Sequence, residues 1–274
     1  MEIPLIITVA LVGAESSKTK NPNLPLSCQE IAKQAIECFH LGATIAHIHV
    51  REEDGTPSSK VEYFKKVKEL IEKEVPMIIQ FTTGGAIGMN EEERMKPLDL
   101  KPHMATLNLG TMNFGDEVFY NTPNFIKKIA LKMKELDIKP ELEVYDVGML
   151  EMIEYLVKEE LVEEPVHVDF VLGVKWGIGA NVENLLFMIN YLRTKGIKFT
   201  WSAAAIGKYQ LPINVASIIL GGAVRTGLED NLYYTKGVLA TNQELVKRIV
   251  RLAKELGRPI ATIEQAKAIL GIRR

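Results

Sequence analysis

Short apolar runs rich in β-branched residues alternate with amphipathic stretches of helical period along all 274 residues, with no composition break, linker or solenoid repeat. The runs predict strands over residues 5–10, 44–50, 77–82, 104–107, 141–145, 167–172, 198–202 and 216–224. The periodic stretches predict helices over 28–41, 60–74, 122–136, 147–158, 182–195 and 243–256. Eight strands with intervening helices fit a (β/α)8 TIM barrel better than an open sheet. Such a barrel typically needs about 250 residues, so residues 1–274 are expected to form one catalytic domain. The eighth strand is the least regular, because Gly221 and Gly222 interrupt it.

Within the second strand, Thr44-Ile45-Ala46-His47-Ile48-His49-Val50-Arg51 places two imidazoles two residues apart. Side chains alternate along a strand, so both rings leave the same face at the strand end, close enough to share an ion. A metal pair is one reading; two histidines hydrogen-bonded in the core is the other. A third ligand elsewhere would decide for the metal, since catalytic zinc usually keeps three protein ligands and an open position.

Composition excludes several classes. The net charge of −2 and the isoelectric point near 6.3 give no basic patch for nucleic acid. No apolar run reaches transmembrane length, and the N-terminal run enters a strand without a basic leader, so a cytoplasmic protein that does not bind membranes is expected. Cys28 and Cys38 sit ten apart in one helix and imply no disulfide.

In a barrel, function sits at the C-terminal ends of the strands. This filter collects His47, His49, Thr82, Thr83, Thr106, Asn108, Glu143, Tyr145, Trp201, Ser202, Arg225, Glu229 and Asp230 at one rim, with Glu15 in the first loop. Glu229 is the best-placed third ligand, giving a His2Glu set; a plain acidic turn at Glu229-Asp230-Asn231 is the alternative. Arg225 ends an apolar strand and must be paired, clamping a substrate carboxylate, bridging Asp230 or Glu229, or doing both together. Asp230, beside a ligand and an arginine, can serve as a general base. Thr82, Thr83 and Thr106 can donate to a substrate oxygen or act simply as β formers. The loop opened by Gly84 and Gly85 allows close backbone approach. The loop bearing Lys175 and Trp176 presents an aromatic anchor over the site or toward a partner subunit.

Several blocks carry a resemblance that runs in order along nearly the whole chain. They are Gly13-Ala14-Glu15, His47-Ile48-His49-Val50-Arg51 with Asp54-Gly55, Thr83-Gly84-Gly85, Met104-Ala105-Thr106-Leu107-Asn108 and Pro140-Glu141-Leu142-Glu143-Val144-Tyr145. Phe170-Val171-Leu172-Gly173-Val174, Arg225-Thr226-Gly227-Leu228-Glu229-Asp230-Asn231 and Gly257-Arg258-Pro259 complete the set. Together they resemble the β-keto acid cleavage enzymes, most closely those acting on 5-amino-3-oxohexanoate in lysine fermentation.

The resemblance implies a homotetrameric barrel whose Zn2+ is held by His47, His49 and Glu229. It implies acetyl-CoA as co-substrate, with acetoacetate and a new acyl-CoA, 3-aminobutyryl-CoA, as products. Thr82, Thr83, Gly85, Thr106 and Asn108 would line the substrate, and Glu15 and Glu143 would meet its ammonium group. Asp230, oriented by Arg225, would take a proton from the acetyl-CoA methyl group. The chain departs from the resembling enzymes at Thr82-Thr83, where they carry Ser-Thr, and at Lys175-Trp176, where their residues are smaller; a different β-keto acid is the alternative substrate.

A barrel-type metal-dependent hydrolase is the rival enzyme, but it needs further histidines after strands five and six, and His167 opens strand six at the wrong end. A Claisen-type lyase carries its histidines late in the barrel. A binding barrel with a structural zinc lacks a fourth ligand to close the site.

Overall fold

The computed structural model describes residues 3–273. Eight parallel strands close into a barrel: β1 (Ile7–Ala10), β2 (Ile45–Ile48), β3 (Ile78–Phe81), β4 (Met104–Asn108), β5 (Lys139–Val144), β6 (Val166–Leu172), β7 (Phe199–Ala205) and β8 (Ala223–Thr226). Each strand pairs with its neighbours in sequence, and β8 returns beside β1 with Thr8 opposite Arg225. The crossovers carry α1 (Cys28–His40), α2 (Val61–Glu72), α3 (Glu91–Met95), α4 (Pro123–Glu135), α5 (Leu150–Lys158), α6 (Val182–Thr194) and α7 (Gln210–Leu220), and α8 (Asn242–Glu255) follows β8.

Local chemistry starts these helices where the pattern predicts. Ser27 caps α1 by accepting from the Glu30 amide while Glu30 accepts from the Ser27 amide, and Thr241 with Glu244 does the same for α8. The apolar stripes then bury against the strands in two large clusters, one around β4–β7 and one around β1–β3 and β8. Cys28 and Cys38 are buried and unpaired. Among the described residues, no helix is long and apolar enough to cross a membrane.

The final turn of the barrel differs from the expected pattern. Residues 216–220, read as the start of the eighth strand, belong to α7, which ends on Gly221 in the left-handed conformation (φ +87°). The run Ile218-Ile219-Leu220 is apolar at every position, so periodicity cannot separate a helix from a strand there. The true strand begins only at Ala223 and extends to Thr226. It starts beyond Gly222, where a Cβ would lie 2.4 Å from the Trp201 ring.

Inside the barrel, the floor is apolar. Ile6, Ile45, Ile78, Met104 and Ala223 pack on Ala266 and Leu270 of α9 (Ile263–Leu270), which closes the bottom. Above the floor the interior turns polar. Alternation along the strands aims Gln80, Thr106, Glu141, Glu143, His167, Asp169, Ser202 and Arg225 inward, all buried. Barrel interiors are dominated by branched apolar residues, so this layer marks where the chain departs from pure packing.

Candidate active site

The cavity at the C-terminal mouth of the barrel has a volume of about 650 Å3, within the range of small-molecule sites. His47, at the end of β2, and His49, just beyond it, project into the cavity with ring centroids 5.2 Å apart. Glu229 reaches them from the loop after β8: its Oε2 lies 3.5 Å from His47 Nε2 and its Oε1 3.4 Å from His49 Nε2. Gly13 makes this approach possible, because a Cβ there would sit 2.6 Å from Glu229 Cγ. Arg51 holds the Gly13 loop in place through the carbonyls of Gly13 and Ser16.

These three residues fit a metal ion. An ion with Zn–N bonds of about 2.0–2.1 Å, tetrahedrally bound, separates adjacent ligand atoms by about 3.3 Å, close to the separations seen. Glu229 Oε2 is buried and makes no hydrogen bond, as expected of an oxygen whose partner is a cation. Gln80 Oε1 contacts His47 Nδ1 at 2.7 Å, so this ring nitrogen carries the proton and Nε2 is left as the donor atom. Burial alone would raise the Glu229 pKa, yet the charges of His47, His49 and Arg225 hold it well below the usual carboxylate range.

Arg225 is the electrostatic hub. It grips Asp230 in a fork, Nε to Oδ2 at 3.0 Å and Nη2 to Oδ1 at 3.1 Å. It also donates to Glu229 Oε1 at 2.8 Å and Glu143 Oε1 at 3.2 Å, and lies 3.6 Å from Asp169 Oδ2. The bridging alternative for Arg225 is therefore the arrangement found, and its donors are taken up by protein carboxylates. Burial pushes the Asp230 carboxyl up against the pull of Arg225. It pushes Glu143 up to about 7.

The remaining expected residues divide. Thr82, Gly85, Asn108, Glu143 and the exposed Glu15 line the cavity. Asn108 is 2% exposed with neither amide atom partnered, so it is free to meet a ligand. Thr83 and Thr106 do not line the cavity; the Thr83 hydroxyl donates to the Thr106 carbonyl at 2.7 Å, and the Thr106 hydroxyl accepts from the Thr83 amide at 3.0 Å. They splice β3 to β4, which is what strand threonines commonly do.

Of the layer beneath, sequence reasoning singles out His167 and Ser202 but puts Ser202 at the rim; β7 runs on to Ala205, so Ser202 lies lower. Asp169 Oδ1 accepts from Ser202 at 2.7 Å, His167 Nε2 lies 3.3 Å from Glu141, and His167 Nδ1 contacts Thr200 at 2.8 Å. His167 thus stays below the cavity and supplies none of the extra ligands that a hydrolase would need. These contacts depend on inter-strand register, Glu141 beside His167 and Asp169 beside Ser202, which one strand's pattern does not encode. The inward alternation on β6 was the available signal.

Comparison with known proteins bears on this geometry. The family described as "beta-keto acid cleavage enzyme" matches residues 4–272. A "3-keto-5-aminohexanoate cleavage enzyme" of Fusobacterium nucleatum is 46% identical over 273 residues, covering 98% of each chain. A "3-oxoadipate:acetyl-CoA acetyltransferase" of Cupriavidus necator is 39% identical over 274 residues, covering 99% of this chain and 96% of that one. In fold, the apo structure of ObcA is similar, with a TM-score of 0.79 at 19% identity over 92% of this chain and 66% of its own.

Proposed function

The chain belongs to the β-keto acid cleavage enzyme family, and from that premise we propose that it is a zinc enzyme acting on an amino-bearing β-keto acid, 5-amino-3-oxohexanoate. With acetyl-CoA it would give acetoacetate and 3-aminobutyryl-CoA, a step of lysine fermentation. A homotetramer belongs to the same proposal through the family resemblance. The observation that carries the reading is the His47–His49–Glu229 triangle with Asp230 locked beside it by Arg225. His47, His49 and Glu229 would hold the Zn2+, which when bound would supply Lewis acidity toward the substrate carbonyl.

This chain's residues do the rest. The methylene between ketone and carboxylate is the acidic carbon, and Asp230 takes its proton. Burial, which raises the Asp230 pKa, makes it a stronger base than a solvent carboxylate. The carbanion attacks the acetyl carbonyl and expels the CoA thiolate. The thiolate then adds to the substrate ketone, the bond between that carbon and the methylene breaks, and the electron pair leaves on acetoacetate, which recovers its proton from Asp230. The acetyl-CoA methyl group, expected from the sequence to lose the proton, is the wrong donor: acetoacetate requires a bond from the substrate methylene to the acetyl carbonyl. The unpartnered Asn108 amide and the Thr82 hydroxyl stand on the cavity wall to receive developing oxyanion charge.

Glu15 and Glu143, which both line the cavity, favour a substrate ammonium over the second carboxylate of 3-oxoadipate, which they would repel. The test is a mass-spectrometric acyl-CoA assay with the metal-loaded enzyme, pairing acetyl-CoA with 5-amino-3-oxohexanoate, 3-oxoadipate and an uncharged β-keto acid. The amino substrate should give the highest kcat/KM, and Glu143→Gln should raise its KM more than that of the uncharged one. Equal effects on both would make Glu143 a support for Arg225 alone. No acyl-CoA from any substrate would remove the reaction.

A further inference from the structure

The acetyl group must reach the cavity beside Glu229 and Asp230, which line it, and the cavity opens to solvent at the barrel mouth, so the long CoA arm has its exit across the rim. Two neighbouring loops of that rim each carry a lysine followed by an aromatic residue. After β6, Lys175 Nζ lies 5.2 Å from the Trp176 ring; after β7, Lys208 Nζ lies 5.0 Å from the Tyr209 ring. The loops meet, since a Cβ on Gly173 would sit 3.6 Å from Tyr209 Cδ2.

Trp176 is displayed at a cost. It is 64% exposed, and its φ of +76° is one that bulky residues rarely adopt. Its indole N–H donates to the Gly115 carbonyl at 2.7 Å, and Lys175 pairs with Asp116 at 2.8 Å, so the loop is clasped to the antiparallel hairpin that follows β4, Met112–Phe114 with Glu117–Phe119. Lys175, Gly115 and Asp116 all line the cavity, which makes the platform continuous with the reaction site. Strained residues persist where function holds them, and an exposed indole held rigidly beside the Lys175 ammonium suits an anionic aromatic ligand.

We propose that this rim, Lys175-Trp176 with Lys208-Tyr209, binds the adenosine 3′-phosphate 5′-diphosphate end of CoA, the adenine stacking on Trp176 and the phosphates meeting the two lysines. The assignment rests on the acetyl-CoA reading above. The test compares acetyl-CoA with acetyl-pantetheine, which lacks the nucleotide, on wild type, Trp176→Ala and Trp176→Phe. Trp176→Ala should raise the acetyl-CoA KM about tenfold, with kcat and the β-keto acid KM held, the signature of lost uniform binding. Kinetics with acetyl-pantetheine should not change, and Trp176→Phe should recover most of the affinity. CoA, but not pantetheine, should quench the Trp176 emission, since the other tryptophan, Trp201, is buried. Unchanged acetyl-CoA KM in Trp176→Ala, or equal shifts with both donors, would overturn the platform and leave the reaction standing. If wild type forms no acyl-CoA from either donor, the acetyl-CoA reading itself falls, and the platform with it.

Discussion

Arg225 shows how one side chain decides what a site can do. A guanidinium offers five N–H donors, and here they face Asp230, Glu229, Glu143 and Asp169. Clamping a substrate carboxylate would cost one of these partners; the role proposed for Arg225 is to aim Asp230 while its charge offsets the acids around it. Asp230→Asn is isosteric, keeps one of the two acceptors of the Arg225 fork and both histidines, and removes the proposed base. It should bind metal as wild type does and lose about 10²–10⁴-fold in kcat, read by metal analysis alongside steady-state turnover. A variant within a few-fold of wild type would take Asp230 out of the base role. The histidine pair and its carboxylate were legible in the sequence because strand alternation and the strand-end rule both point to them. The saturation of Arg225 was not, since it depends on acids from β5, β6 and the β8 loop that only folding assembles.

Among the elements, the seam between β1 and β8 carries the site. Gly227 follows β8 with φ +140°, and a Cβ there would lie 2.1 Å from the Ala10 carbonyl oxygen. Two residues on, the Glu229 amide donates to that same carbonyl at 3.1 Å, which sets where its carboxylate lands. Gly227→Ala should therefore destabilise the fold by about 2–4 kcal/mol and weaken metal binding together, measurable by denaturant unfolding and metal titration. Normal metal affinity in that variant would show that the seam does not position Glu229. Helix starts at Ser27 and Thr241 were readable from their caps, whereas the α7–β8 boundary was not. In 213–220 the apolar residues follow no clear period, with Ile219 exposed and Asn214 and Ser217 buried, and only Gly221 marks the end.

At the scale of the whole molecule, an apolar floor supports a polar, charged interior that opens into the cavity. Function is thus confined to one end, and the other end answers to stability. Lys139, at the start of β5 on that lower end, donates to the Pro165 carbonyl, and burial pulls its pKa down to about 8. The unfolded chain keeps that proton up to about pH 10.5, so between pH 8 and 10.5 it binds more protons than the folded one. Through this group stability rises with pH across that window, by at most about 1.4 kcal/mol per pH unit. The stability difference between wild type and Lys139→Met should shift in favour of wild type between pH 7.5 and 10; a difference independent of pH would contradict the assignment. The barrel as a whole was legible from its alternating periods, but its polar interior emerges only from register. In the proposed reaction the substrate methylene is joined to the acetyl carbonyl beside His47, His49 and Glu229. Acetyl-CoA labelled with carbon-13 at both acetyl carbons tests it directly, by mass spectrometry and NMR of the products. The label should appear in carbons 3 and 4 of acetoacetate, with the new acyl-CoA unlabelled. Label in the acyl-CoA, or in carbons 1 and 2 of acetoacetate, would contradict it.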